Sequence, residues 1–173
     1  MNTWIETYTG EKFSLMEPRV ESVNIKDIAH SLAYQCRFGG HCRRFYSVAE
    51  HSVRASTIVD NGNMLPALLH DAAEAYIGDM TKPLKLLMGA GVILLEEKLL
   101  SIIHYKFNVG SYDPVAIKKA DNIMLATEAR DLMPRANSWD EWLCERPLDD
   151  MITPWSAEKA EEIFLERFEG LTK

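Results

Sequence analysis

Cysteine is scarce in this chain of 173 residues: Cys36, Cys42 and Cys144 are odd in number, and none forms the C-x-x-C pair of a zinc ribbon or a redox dithiol. That excludes a disulfide scaffold and leads us to expect reduced thiols in a cytoplasmic setting. Positive charge is also short. Nineteen Lys and Arg stand against 26 Asp and Glu, a net charge of −7, which argues against the basic face that a nucleic acid polymer needs. A few local cations could still hold a small phosphorylated substrate. Long hydrophobic runs are missing as well, since the richest stretch, Gly91 to Leu100, is interrupted by Glu96, Glu97 and Lys98. The opening MNTWIETYTGEKF carries no basic segment followed by an apolar one, so neither export nor a membrane span is expected. Internal repeats and low-complexity tracts are absent too.

What the chain does have is 47% hydrophobic and 26% charged residues, the balance of a soluble domain. One domain of this length buries roughly 70% of its unfolded surface, enough to fold without a metal, so any metal would serve chemistry. Residues 1–16 alternate like two short strands around Thr9-Gly10 and predict a β-hairpin. Helical periodicity takes over across 24–133. Asn24 caps a first helix, and Ser47-Val48-Ala49-Glu50 has the capping-box form for a second reaching about Asp60. A third is expected over Met64 to Ile77, a short one from Lys82 to Gly89, and a longer one over Gly91 to Phe107. Asp113-Pro114 then opens a helix reaching toward Met133. Residues 134–173 read as a Trp-rich loop followed by a helix capped by Ser156. The fold class is all-α, a helical bundle with a short N-terminal hairpin.

The chemistry centres on His70-Asp71 in LLHDAAEA, an imidazole and a carboxylate in an apolar helical context where an uncompensated charge is expensive. His51 lies on the preceding helix and Asp121 on a later one. Two His and two Asp from three helices can converge on one divalent cation and leave positions open for water or phosphate oxygens. Each has a plainer reading: His51 and His70 as hydrogen-bonded core histidines, Asp71 and Asp121 as partners of a basic side chain. Glu74 follows His70 by four and is expected on the same helical face. Lys82 and Lys85 could touch further phosphates, although ordinary solvated lysines are the commoner case. His41 with Cys36 and Cys42 matches no common zinc spacing. His30 and His104 are read as structural or exposed. Glu128, seven after Asp121, is within reach of the site's outer shell, but pairing with Arg130 or another surface base is the simpler reading. Trp139, Trp142 and Trp155 suit core lids or an oligomer contact.

The segments YSVAEHS, LLHDAAEAYIGDMTKPLK and KKADNIMLATEARDL, in that order, resemble the HD-domain phosphohydrolases, in particular their small bacterial and phage 5′-deoxynucleotidase-like branch. The resemblance covers most of the chain, including the hairpin and CRFGGH. It implies an HD-type bundle in which His51, His70, Asp71 and Asp121 hold a divalent metal such as Zn, Co or Mn. A second, Mg-like ion could accompany the substrate phosphates. It further implies Glu74 as the catalytic acid or base, Asp79 as a contact to substrate or catalytic water, and Arg37 as the phosphate-binding residue. Relatives follow that Arg with a Trp that packs on the sugar; here Phe38 takes the place. The implied reaction is hydrolysis between the 5′-oxygen and the α-phosphorus of a 2′-deoxynucleotide. The favoured substrate is dATP, with dAMP and dADP also possible, and a general deoxynucleoside monophosphatase is the alternative. The relatives imply a homo-oligomer, acting in the host cytoplasm if phage-encoded. Hydrolases of (p)ppGpp carry a Glu-Asp pair that is lacking here, and cyclic dinucleotide phosphodiesterases a Gly-Tyr-Pro signature that is also lacking. A nucleotide sensor that has kept the fold without turnover is the reading from a different class.

Overall fold

In the computed structural model of the chain, residues 3–135, 139 and 142–173 are described. Strands β1 (Trp4–Glu6) and β2 (Lys12–Ser14) pair antiparallel with Ile5 opposite Phe13. Gly10, at φ +84°, closes the turn with its N–H on the Thr7 carbonyl, a backbone region that a Cβ disfavours. Hydrogen bonds and ring stacking fasten the ribbon to the bundle. Asp27 accepts from the Thr9 N–H and hydroxyl at 2.7 and 3.0 Å, and Phe13 stacks on Tyr76.

The helices are α1 (Ile25–Tyr34), α2 (Val48–Thr57), α3 (Met64–Leu68), α4 (Glu74–Ile77), α5 (Lys82–Met88), α6 (Ala90–Lys106), α7 (Pro114–Leu132) and α8 (Ala157–Thr172). The anticipated caps are made: Asn24 accepts from Lys26 N, Ser47 from Glu50 N, Asp113 from Val115 N and Ser156 from Lys159 N. Such caps satisfy amides that have no partner within the helix. The reciprocal half of the capping box is replaced, because the Glu50 carboxylate accepts from Arg54 and from the Trp155 N–H. Helix α1 ends at Tyr34. Gln35 and Arg37 there turn their backbone to Val48 and Tyr46, tying the loop to the start of α2. Helix α2 stops at Thr57 rather than near Asp60, where the Ile58 N–H tightens onto the Ala55 carbonyl.

The largest correction concerns the helix expected over Met64 to Ile77, which is broken at residues 69–73. The His70 ring donates from Nδ1 to the Ala67 carbonyl at 2.7 Å, the acceptor that the Asp71 amide would use in a continuous helix. The following amides bond three residues back, Glu74 to Asp71 and Ala75 to Ala72. His70 and Asp71 therefore sit in a tight turn between α3 and α4.

The main core joins Ile28 and Leu32 of α1, Val53 of α2, Leu68 and Leu69, Leu99 and Ile103 of α6, and Phe164 of α8. A smaller cluster of Tyr46, Ala55, Met124, Leu132 and Ile152 seats α7 beside α2. Because Phe164 is fully buried where α8 closes over the core, Phe164→Ala should lower stability by about 3–5 kcal/mol, read as a shift of the urea midpoint. A loss below about 1 kcal/mol would show that α8 is not part of the cooperative core. Among the described residues, no helix is long and apolar enough to cross a membrane. The expected loop over 134–155 is reached only in part: 136–138 and 140–141 lie outside the described residues.

Candidate metal centre

Three helical segments deliver the site. Residue 51 comes from the middle of α2, residues 70 and 71 from the turn after α3, and residue 121 from α7. Their donor atoms converge. His51 Nε2 lies 3.2 Å from His70 Nε2 and 3.3 Å from Asp121 Oδ1, and His70 Nε2 is 4.0 Å from that same oxygen. Donors about 2.1 Å from one ion, subtending about 100°, stand roughly 3.2 Å apart. Asp71 closes the group from the side, its Oδ2 3.3 Å from His70 Nε2 and 3.7 Å from His51 Nε2.

The outer hydrogen bonds decide how the rings are used. His51 Nδ1 sits 2.6 Å from Glu128 Oε1, a pure acceptor when ionised, and His70 Nδ1 sits 2.7 Å from the Ala67 carbonyl, also an acceptor. Both rings therefore donate from Nδ1, and in their neutral forms they present the lone pairs of both Nε2 atoms to each other across 3.2 Å. Two facing lone pairs repel unless a proton or a metal ion lies between them, and with Asp121 and Asp71 alongside the donor set fits a metal ion. Among the described residues, His51, His70 and Asp121 form the cluster whose ligating atoms all lie within 4.8 Å of one another. Nitrogen and carboxylate donors together suit Zn, Mn, Fe, Co or Ni.

The local field agrees. Burial and Arg37 press His51 toward its neutral form, but Glu128 and Asp121 outweigh them and push its pKa up to about 9. Burial alone would raise Asp121, yet His51, His70 and Lys118 hold it well below the usual carboxylate range. Asp71 is likewise held down against burial, by the two histidines and Arg37. A positive charge is favoured where the four side chains meet.

Two curated relatives match along most of their length. The uncharacterized protein YfdR of Escherichia coli (strain K12) is 38% identical over 173 residues, covering 99% of this chain and 97% of YfdR. The chain belongs to the YfdR family. An uncharacterized protein of Rhodobacter capsulatus is 34% identical over 142 residues, covering 75% of this chain and 72% of that protein. No family model matches the chain.

In this YfdR-family chain the remaining candidates ring the cluster. Arg37 reaches Asp71 Oδ2 from Nη1 at 3.4 Å and Glu128 Oε2 from Nε at 3.2 Å. Phe38 follows it in the left-handed region at φ +58°, a conformation costing a bulky residue about 1–3 kcal/mol. The Arg37 guanidinium lies over the Phe38 ring, and Trp139 meets the ring edge-on. Glu74 is buried, with Oε1 accepting from Lys85 at 3.0 Å and Oε2 without a partner among the described residues. Burial and Asp71 push its carboxyl up to about 9, against the opposing pull of Lys85. A proton on Oε2 is compatible with the Lys85 bond to Oε1. Asp79 carries a buried Oδ2 that has no partner among the described residues, its backbone N–H is held by Gln35, and burial raises its carboxyl.

Two positions depart from the simple sequence reading. Lys85 is no solvated lysine: its ammonium is shared between Glu74 and Glu96, at 3.0 and 2.8 Å. Lys82 is exposed and lies over the Trp142 ring. Glu128 is fully buried between Arg37 and His51, whereas Arg130 pairs with Asp131. The simpler reading of Glu128 is therefore corrected. Its signal was the seven-residue step from Asp121, two turns along one helix face. Gln35 and Glu96 carry no local sequence signal, because their partners come from other elements. His30, stacked on Tyr8 and bonded to Glu161, is structural as expected. Trp155 packs against the main core under Arg54.

Proposed function

We propose that this protein is a divalent-metal-dependent phosphohydrolase of the HD type, cleaving the bond between the 5′-oxygen and the α-phosphorus of small 2′-deoxynucleotides. The observation that carries the reading is the pair of Nε2 atoms turned toward each other with both Nδ1 atoms committed to acceptors. His51, His70, Asp71 and Asp121 would hold the ion. When bound, it supplies a Lewis acid that acidifies water and neutralises charge on a phosphate oxygen.

The chain's own residues divide the rest of the work. Arg37, held at Nε by Glu128 and at Nη1 by Asp71, would turn the rest of its fixed fork of donors to a phosphate oxygen, the geometry such anions favour. Glu74 holds a proton on Oε2 at neutral pH for the departing 5′-oxygen. Asp79 orients water or substrate with its buried Oδ2. Phe38 offers a sugar or base a ring face already braced by Trp139. With Lys85 committed to Glu74, further phosphates fall to Lys82 and to a Mg-like ion arriving with them. An adenine deoxynucleotide, dATP above all, is the favoured substrate. The reading also includes a homo-oligomer, for which the exposed Leu86, Leu87, Met88 and Leu94 of α5 and α6 offer an apolar face. Light scattering that returned the mass of one chain would remove that part.

The test is to incubate the metal-reconstituted protein with the four dNMPs and four dNTPs, each beside its ribonucleotide, and to separate the products by chromatography. Deoxyadenosine and triphosphate from dATP are expected. Phosphate from all the dNMPs would instead make it a general 5′-deoxynucleotidase. No product from any of them, with metal bound, would overturn the enzyme reading in favour of a sensor.

A further inference from the structure

Glu128 stands where two functional side chains meet. It is fully buried on α7, two turns beyond Asp121, with Oε1 on His51 Nδ1 at 2.6 Å and Oε2 on Arg37 Nε at 3.2 Å. Both partners donate and an ionised carboxylate only accepts, so the pairing leaves neither of its oxygens idle. Arg37 is pinned at its backbone too, its N–H on the Tyr46 carbonyl one residue before the α2 cap. Ring and guanidinium are thus indexed to a single rigid group.

We propose that Glu128 is a positioning residue that couples the metal pole of the site to its anion pole, fixing His51 as an Nε2 ligand with one oxygen and the Arg37 fork with the other. The proposal rests on reading the site as one that takes a metal and a phosphate. A carboxylate that merely neutralised a buried arginine would have no need to reach His51. One that merely oriented His51 would leave Arg37 free to swing to Asp71 alone.

The two roles separate chemically in Glu128→Gln. The amide oxygen can still accept from His51 Nδ1, but the amide NH₂ then confronts the Arg37 Nε–H, donor against donor. Binding of Co²⁺ to the stripped protein, followed by calorimetry and by the visible spectrum of the bound ion, should stay within about threefold of wild type. Binding of inorganic tripolyphosphate to the Co²⁺-loaded protein should weaken at least about tenfold. Glu128→Ala, which leaves His51 without its acceptor, should weaken Co²⁺ itself by about 10–100-fold and change the spectrum. Thermal melts of both variants establish that they fold, and the isosteric Gln variant decides the matter if the Ala variant does not. Equal loss of Co²⁺ and tripolyphosphate in Glu128→Gln would mean a general structural role and overturn the proposal. Wild-type binding of both would overturn it as well. A wild-type protein that binds Co²⁺ but not tripolyphosphate would overturn the coupling together with the phosphohydrolase reading. Normal anion binding in wild type with no selective loss in Glu128→Gln would overturn the coupling alone.

Discussion

Replacing His70 with alanine is expected to reduce deoxynucleotide turnover to background while leaving the chain folded. His70 supplies one of the two opposed Nε2 donors, and Asp71 and Asp121 are each placed against that ring. Removing it opens the cluster on the side of the turn between α3 and α4. The structural loss is small. The bond from Nδ1 to the Ala67 carbonyl disappears, worth about 0.5–1.5 kcal/mol, against a total of about 5–15 kcal/mol for a domain. The freed carbonyl can accept from the Asp71 amide, so the broken helix is free to regularise. Metal content by mass spectrometry, turnover by chromatography and a urea melt should give lost metal, lost product and a near-normal midpoint. Asp71→Ala should behave likewise, since Arg37 keeps Glu128 as its partner. Turnover at the wild-type rate in either variant would end the metal-centre account.

Glu74→Gln should leave metal binding intact and lower kcat by about 10²-fold or more, the contribution typical of a general acid or base. The amide can still accept from Lys85, so α5 keeps its tie to the site and the change falls on the proton. The sign of the pH dependence follows from the same geometry. Burial and Asp71 raise the carboxyl to about 9, so the proton is present at neutral pH and lost as pH rises. A cation in the neighbouring cluster moves that value downward. The wild-type kcat should therefore fall along an alkaline limb at or below about pH 9 that Glu74→Gln lacks. A metal content that falls together with the rate would make Glu74 a ligand instead of an acid.

The parts of the fold with local signatures were legible before the structure. Asn24, Ser47, Asp113 and Ser156 all cap as the sequence suggests, and Gly89 separates α5 from α6 at φ +79°. The interruption at 69–73 was not legible. LLHDAAEA has a helical apolar period throughout, and it is the His70 side chain, competing for the Ala67 carbonyl, that breaks the ladder. The same contact fixes the tautomer of His70, so the departure from regular structure falls on a residue of the site, where local rules are often broken. The convergence of His51, His70, Asp71 and Asp121 was readable, because unpaired polar residues in apolar helices demand partners. Their surroundings were less so. Glu128, Glu96 and Gln35 act across helices, and only tertiary packing reveals whether a glutamate faces water or an arginine.

The most direct test titrates Co²⁺ into the stripped protein while deoxyadenosine release from dATP is followed by chromatography. Product should rise in proportion to added metal, break at one equivalent per His51–His70–Asp121 cluster, and be absent in His70→Ala. A flat product trace from dATP and from every dNMP while the ion demonstrably binds at His51, His70 and Asp121 would contradict the account.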